Sequence, residues 1–177
     1  MDTAERIVEA YCRYIKGWAT IPNIRCGGQK EIDLLAVDPA SGERYHIEVS
    51  ISISDAFSKL TDKPFDPADL RDRVKQPGAR RTVGFFASRK FDDADVVAKL
   101  AEYGFASGGY RKAIVTWGWQ KGVQERAHEF GIELLDFRQL ILDLVDYLKD
   151  QTAHFGDDTI RTLHLYARAA KAKKPSG

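Results

Sequence analysis

Between Tyr45 and Ser54 the chain alternates without a break, and that pattern constrains the fold more than any other. Tyr45, Ile47, Val49, Ile51 and Ile53 fall on one side of an extended backbone, and His46, Glu48, Ser50, Ser52 and Ser54 on the other. Successive strand residues point to opposite faces, so the segment is a strand with one apolar and one polar face. Just upstream, Glu31-Ile32-Asp33-Leu34-Leu35-Ala36-Val37 forms a second, largely apolar run, and Pro39-Ala40-Ser41-Gly42 supplies a turn between them. Together they read as a β-hairpin.

Around the hairpin the periodicity changes. Asp2 and Glu5 have the spacing of a capping box, and Ile7, Val8, Tyr11, Tyr14, Ile15 and Trp18 recur at helical intervals, predicting a helix over 3–16 that stops near Gly17. Pro22 and Gly27-Gly28 punctuate the stretch between this helix and the hairpin. Residues 55–81 are polar and contain Pro64, Pro67 and Pro77, which predicts a loop holding a short helix near 67–75. Thr82-Val83-Gly84-Phe85-Phe86-Ala87 has strand composition, and Asp92 or Asp93 caps a helix through Val96, Val97, Leu100 and Tyr103. Ala113–Trp117 is a buried-strand pattern, 120–130 a helix closed by Gly131, and Ile132–Asp136 a further strand. Helices over 137–149 and 157–170 complete the chain. Strands alternating with helices after an opening hairpin define an α/β protein with a mixed sheet.

Composition narrows the function classes. With 44% hydrophobic and 30% charged residues, the 177-residue chain has the make-up of a globular protein with a real core. No apolar run has the length of a membrane span. Its two cysteines, Cys12 and Cys26, form no CxxC pair, so free thiols in a reducing, cytoplasmic setting are the expectation. A net charge of +1 argues against a sequence-blind DNA coat, which needs many phosphate-neutralising groups. Local basic bias remains: Arg71, Arg73, Lys75, Arg80 and Arg81 fall within eleven residues, and Arg168, Lys171, Lys173 and Lys174 end the chain. Either cluster reads as a solvated face or as a nucleic-acid contact.

Two carboxylates carry the chemistry. Asp33 lies on the first hairpin strand and Glu48 on the second, so antiparallel pairing brings both to one place. A carboxylate in an apolar strand needs a partner, whether a cation or a salt bridge. Two hard oxygen ligands that leave coordination positions open suit Mg²⁺ or Mn²⁺ bound together with phosphate and water. His46, one alternation from Glu48, is expected as a surface histidine. His128, His154 and His164 are scattered without zinc-site spacing. Trp117 and Trp119 are expected as core and rim residues. No Gly-rich phosphate loop or GxSxG elbow is present.

Gly28-Gln29-Lys30-Glu31-Ile32-Asp33-Leu34-Leu35-Ala36 and, with fourteen residues between it and Asp33, Glu48 within Ile47-Glu48-Val49 resemble the core motif of the PD-(D/E)XK nuclease superfamily, in its small Holliday-junction-resolvase-like branch. Ile114-Val115-Thr116 and Gly131 to Asp136 look like later strands of the same fold. The resemblance implies a restriction-endonuclease-like mixed sheet flanked by helices, an α-β-β-β-α-β core with extra C-terminal helices. Residues 1–150 would form the nuclease-like domain, with 55–105 an insertion lacking a counterpart, and 151–177 a C-terminal helix and basic tail. It also implies Asp33 and Glu48 as metal ligands for Mg²⁺ or Mn²⁺ and Glu5, with Glu9 as the alternative, as the helical glutamate.

One departure stands out. Ser50 occupies the position of the family lysine, which positions the attacking water and offsets charge on the reacting phosphate. Serine can hold a water but brings no charge. Some members of the fold take the cation from another element; Lys30, Lys112 and Lys75 are the candidates here. The catalytic set expected is therefore Asp33, Glu48, Ser50, Glu5 and Lys30, with Arg71, Arg73, Lys75, Arg80 and Arg81 on the DNA backbone. The function implied is a metal-dependent DNA endonuclease acting in repair or defence. The alternative is an inactive module of the same fold that binds nucleic acid or a protein partner. DNA is the expected partner, and a homodimer is the assembly suggested by relatives that pair to cut two strands.

Overall fold

A computed structural model describes residues 2–51, 59–66 and 80–173. The short helix expected near 67–75 lies outside the described residues, as do Ser52 to Ser54, Arg71, Arg73, Lys75 and Lys174.

Helix α1 (Thr3–Ala10) begins as the Asp2/Glu5 spacing predicts. The Glu5 amide donates to Asp2 Oδ1 and the Asp2 amide to Glu5 Oε2, both at 2.9 Å. These reciprocal bonds satisfy two otherwise orphaned donors. The helix continues as a π-helical turn (Tyr11–Ile15). Strand β1 (Ala19–Arg25) comes next, where the sequence shows only punctuation at Pro22. β1 is an edge strand, where a proline's missing N–H need not break a ladder. Asn23 within it has φ 54°, a left-handed conformation that asparagine tolerates better than most residues.

β2 (Glu31–Val37) and β3 (Arg44–Ser50) form the expected antiparallel hairpin, with Leu34 opposite Ile47 and Val37 opposite Arg44. β4 (Arg111–Thr116) runs parallel to β3, and β5 (Ile132–Asp136) parallel to β4. The sheet is mixed, in the order β1-β2-β3-β4-β5.

Val83–Ala87 is helical and only Thr82 is extended, bridging to Thr61, which corrects the strand expected there. Thr82 caps α2 (Val83–Phe85), its hydroxyl accepting from the Phe85 amide at 3.1 Å, and the helix runs on as a π-helical turn (Phe86–Phe91). Val83, Phe86, Ala87 and Phe91 are all buried against Ile114, Val123, Ala127 and Ile132. Their helical spacing, not the β-propensity of Val and Phe, decided the conformation, because one apolar stripe could be buried only that way. Gly84 lets Phe65 approach: a Cβ built there would lie 2.9 Å from Phe65 Cβ.

The remaining helices are α3 (Ala94–Glu102), α4 (Val123–Glu129), α5 (Phe137–Leu148) and α6 (Asp158–Ala172). Leu34, Ala36, Tyr45, Ile47, Ala113 and Val115 pack on one face of the sheet with buried residues of α1, α5 and α6. Opposite, Leu35 packs with Val96 and Leu100 of α3, and Ile114 with α2 and α4. Helices therefore cover both faces. Among the described residues no helix is long and apolar enough to cross a membrane.

This layering corrects one expectation directly. The polar face of β3 is not solvated, because α2 and its π-helical turn lie over it. His46, expected at the surface, is 0% exposed, and so is Glu48.

Candidate active site

Asp33 and Glu48 meet where the hairpin ladder gives out. The β2–β3 register ends at Leu34–Ile47, whereas β3 stays paired with β4 through Ser50–Thr116. The next free β3 amide, that of Val49, donates to Asp33 Oδ2 at 2.8 Å. A side chain has thus replaced a backbone carbonyl, which lets the two strands part and fixes the Asp33 carboxylate at the fork.

Into that fork comes Lys90, from the π-helical turn after α2. Its Nζ lies 2.5 Å from Glu48 Oε2 and 3.5 Å from Asp33 Oδ1, and it donates to the Glu31 carbonyl at 3.1 Å. Single π-turns recur at functional sites, and this one carries the only lysine that the described residues bring to the acids. Sequence reasoning misses it. Lys90 carries no motif, and its signal is visible only once 83–91 is read as a helix. Phe86, Ala87 and Phe91 then point inward, and Lys90 lies one turn beyond Phe86 at the edge of their stripe.

The electrostatics follow from burial. Loss of water pushes Asp33 up to about 7, with the Glu48 charge adding to the effect and Lys90 opposing it. Burial also raises Glu48, against the pull of Lys90. Burial works against the Lys90 ammonium, but Glu48 and Asp33 outweigh it and its pKa is raised. His46 Nε2 lies 2.8 Å from Glu48 Oε1, and burial pushes its pKa well down, holding it neutral. When both carboxyls are ionised, one ammonium between them leaves a surplus negative charge.

The other expected residues take varied places. Glu5 belongs to the capping box; burial raises its pKa and the charge of Asp33 contributes, so it lies within electrostatic reach of the site. Ser50 sits two residues beyond Glu48 on the same face of β3, opposite Thr116. Lys30 is held by Asp93 and Asp95 at 2.6 and 2.7 Å, and Lys112 by Asp92 at 2.6 Å. Arg81 engages through its backbone carbonyl, which accepts from the Thr61 amide at 2.9 Å. Arg80 lines a cleft of about 560 Å³ with Phe85, Arg89, Lys90, Gln29 and Asp33. Among the described residues neither Arg80 nor Arg89 has a carboxylate ion-pair partner, whereas Lys30 beside them has two. The cleft therefore leads to the acids past two guanidiniums.

Among the described residues no group of three or more His, Cys, Asp and Glu side chains is placed to hold a metal ion. A cation at this site would have Asp33 and Glu48 as protein ligands and draw its other oxygens from water or substrate. No protein-family model, curated protein or solved structure matches the chain.

Phe91 ties the fold to the site. It is 0% exposed, one residue from Lys90, and its ring meets His46 edge-on at 4.7 Å. Phe91→Ala should cost about 3–5 kcal/mol, the usual range for a buried aromatic. Urea melts test this; a loss below about 1 kcal/mol would mean the π-helical turn is not anchored by this ring.

Proposed function

We propose that this protein is a metal-dependent nuclease of the PD-(D/E)XK type that hydrolyses phosphodiester bonds of DNA, with Lys90 in the role of the motif lysine absent at position 50. The observation that carries this reading is the convergence of Asp33, Glu48 and Lys90 at the fork between β2 and β3. The order α1-β1-β2-β3, then helices α2 and α3, then β4 parallel to β3, supports the reading of a restriction-endonuclease-like fold.

The residues suit a hard divalent cation. Both acids offer oxygen, and loss of water raises both carboxyls against the pull of the single ammonium between them, so a divalent cation would favour their ionised forms. Bound by Asp33 and Glu48, Mg²⁺ or Mn²⁺ supplies Lewis acidity and a water of lowered pKa. The chain does the rest. The Val49 amide fixes Asp33, and Lys90 sets a positive charge where negative charge grows on the reacting phosphate. Arg80 and Arg89 hold the backbone leading to it, contacts that position a strand without reading sequence. Lys90 offers a cation where Ser50 has none, which favours the nuclease over the inactive module.

The test is a cleavage assay on duplex, flapped and branched DNA with Mg²⁺ or Mn²⁺. Wild type should cut at least one substrate, and Glu48→Ala should abolish cutting. Activity surviving Glu48→Ala would place the chemistry elsewhere, and no cleavage on any substrate would favour the binding module.

A further inference from the structure

His46 is buried on the same face of β3 as Glu48, and the packing around it explains its shape but not its chemistry. Its ring lies edge-on to Phe91 at 4.7 Å, with Tyr110 at 6.3 Å. An apolar side chain would fill that slot without burying polar nitrogens. The imidazole instead makes one polar contact, Nε2 to Glu48 Oε1 at 2.8 Å, and Nδ1 has no hydrogen-bond partner among the described residues. That asymmetry fixes the tautomer. With the proton on Nδ1, an N–H would be buried unpaired and the Nε2 lone pair would face a carboxylate oxygen. With it on Nε2, the ring donates to Oε1 and leaves only a bare acceptor behind, the cheaper vacancy.

We propose that His46 is a positioning residue for Glu48: its Nε2–H holds Oε1 and so turns Oε2 toward Lys90 and Asp33, where a divalent cation is to be bound. The inference rests on reading Glu48 as a metal ligand. Glu48 alone has several rotamers, and its backbone sets only the face to which it points. Of its two oxygens, Oε1 is held by His46 while Oε2 faces Lys90. Hydrogen-bond partners of ligating side chains act in this way, and their loss costs metal affinity without removing a ligand.

Three substitutions separate this role from packing. In His46→Gln the amide nitrogen reaches about as far as Nε2 and keeps the donor. In His46→Asn the same chemistry falls short, and in His46→Leu there is no donor. Mn²⁺ affinity is measured by calorimetry at one pH, with thermal melts recorded for every variant. Gln should bind within a few-fold of wild type, while Asn and Leu lose about 10–100-fold. If Leu fails to fold, the Asn and Gln pair still decides, since the two differ only in reach. Asn binding as tightly as wild type, or Gln falling as far as Asn, overturns the role of His46 while leaving the metal site standing. Wild type that binds no Mn²⁺ overturns the metal site, and this inference with it.

Discussion

Lys90→Ala should lower the rate of phosphodiester cleavage about 10²–10³-fold, the scale of losing one placed group that meets transition-state charge, and adding Ser50→Lys should return part of that loss. The first expectation comes from position: Lys90 Nζ is 2.5 Å from Glu48 and 3.5 Å from Asp33. The second comes from alternation, since residue 50 shares the face of residue 48 and is only half-buried, so a lysine there can reach the same fork. Two effects must be kept apart. Removing Lys90 also leaves buried Glu48 and part-buried Asp33 without their counter-ion, which destabilises the fold, with about 3–5 kcal/mol as the fully buried limit. Single-turnover rates at saturating Mg²⁺, with melts recorded under the same conditions, distinguish lost chemistry from lost folding. A folded Lys90→Ala protein that cleaves at the wild-type rate would remove Lys90 from the mechanism. A double variant no faster than Lys90→Ala would show that the ammonium must approach from the π-helical turn after α2.

The hairpin and the meeting of Asp33 with Glu48 were legible because alternation is a local property of β3. Once Tyr45 and Ile47 face one way, Glu48 must face the other. What alternation could not say is what covers the second face. The polar face of a strand looks solvated in sequence, yet α2 and its π-helical turn bury His46 and Glu48 completely. Two physical features concealed this cover. Val83, Phe85 and Phe86 favour strands by intrinsic preference, and the nine residues of helix and π-turn are too few for periodicity to prevail by inspection. Reading 82–87 as a strand then hid Lys90, because its place at the acids depends on a helical turn. β1 was hidden for another reason. Pro22 argues against a central strand, and only the tertiary arrangement shows that β1 is an edge. Lys30 was the nearest lysine in sequence, but its partners Asp93 and Asp95 lie more than sixty residues away and cannot be anticipated from the hairpin.

In the absence of divalent metal the protein should lose stability as pH rises through neutrality, and Mg²⁺ or Mn²⁺ should reverse the trend. The sign comes from proton counting. Asp33 is pushed from 3.8 up to about 7 in the folded chain, and Glu48 is raised as well, so at intermediate pH the native state holds protons that the unfolded chain has released. Stability from such groups is complete below their unfolded values and drains away as pH climbs through the folded ones. At about 1.4 kcal/mol per unit, the pair accounts for a change on the order of a few kcal/mol. His46 acts in the opposite sense, because its lowered pKa makes stability rise with pH, but only up to its ordinary value of 6.5. Lys90 stays charged throughout, its pKa being raised from 10.5. The carboxylate effect should therefore show cleanly between about pH 6.5 and 8. Melts across that interval should fall for wild type and flatten for Asp33→Asn and Glu48→Gln. Divalent metal binds the ionised pair, so it should raise the melting temperature far more at pH 8 than at pH 5.5. At one hundred times the dissociation constant the gain is about 2.7 kcal/mol. Equal pH slopes in wild type and both variants would mean that burial has not raised these acids. Equal responses to metal would mean that Asp33 and Glu48 are not its ligands, and the surplus charge at the fork would then need another cation to balance it.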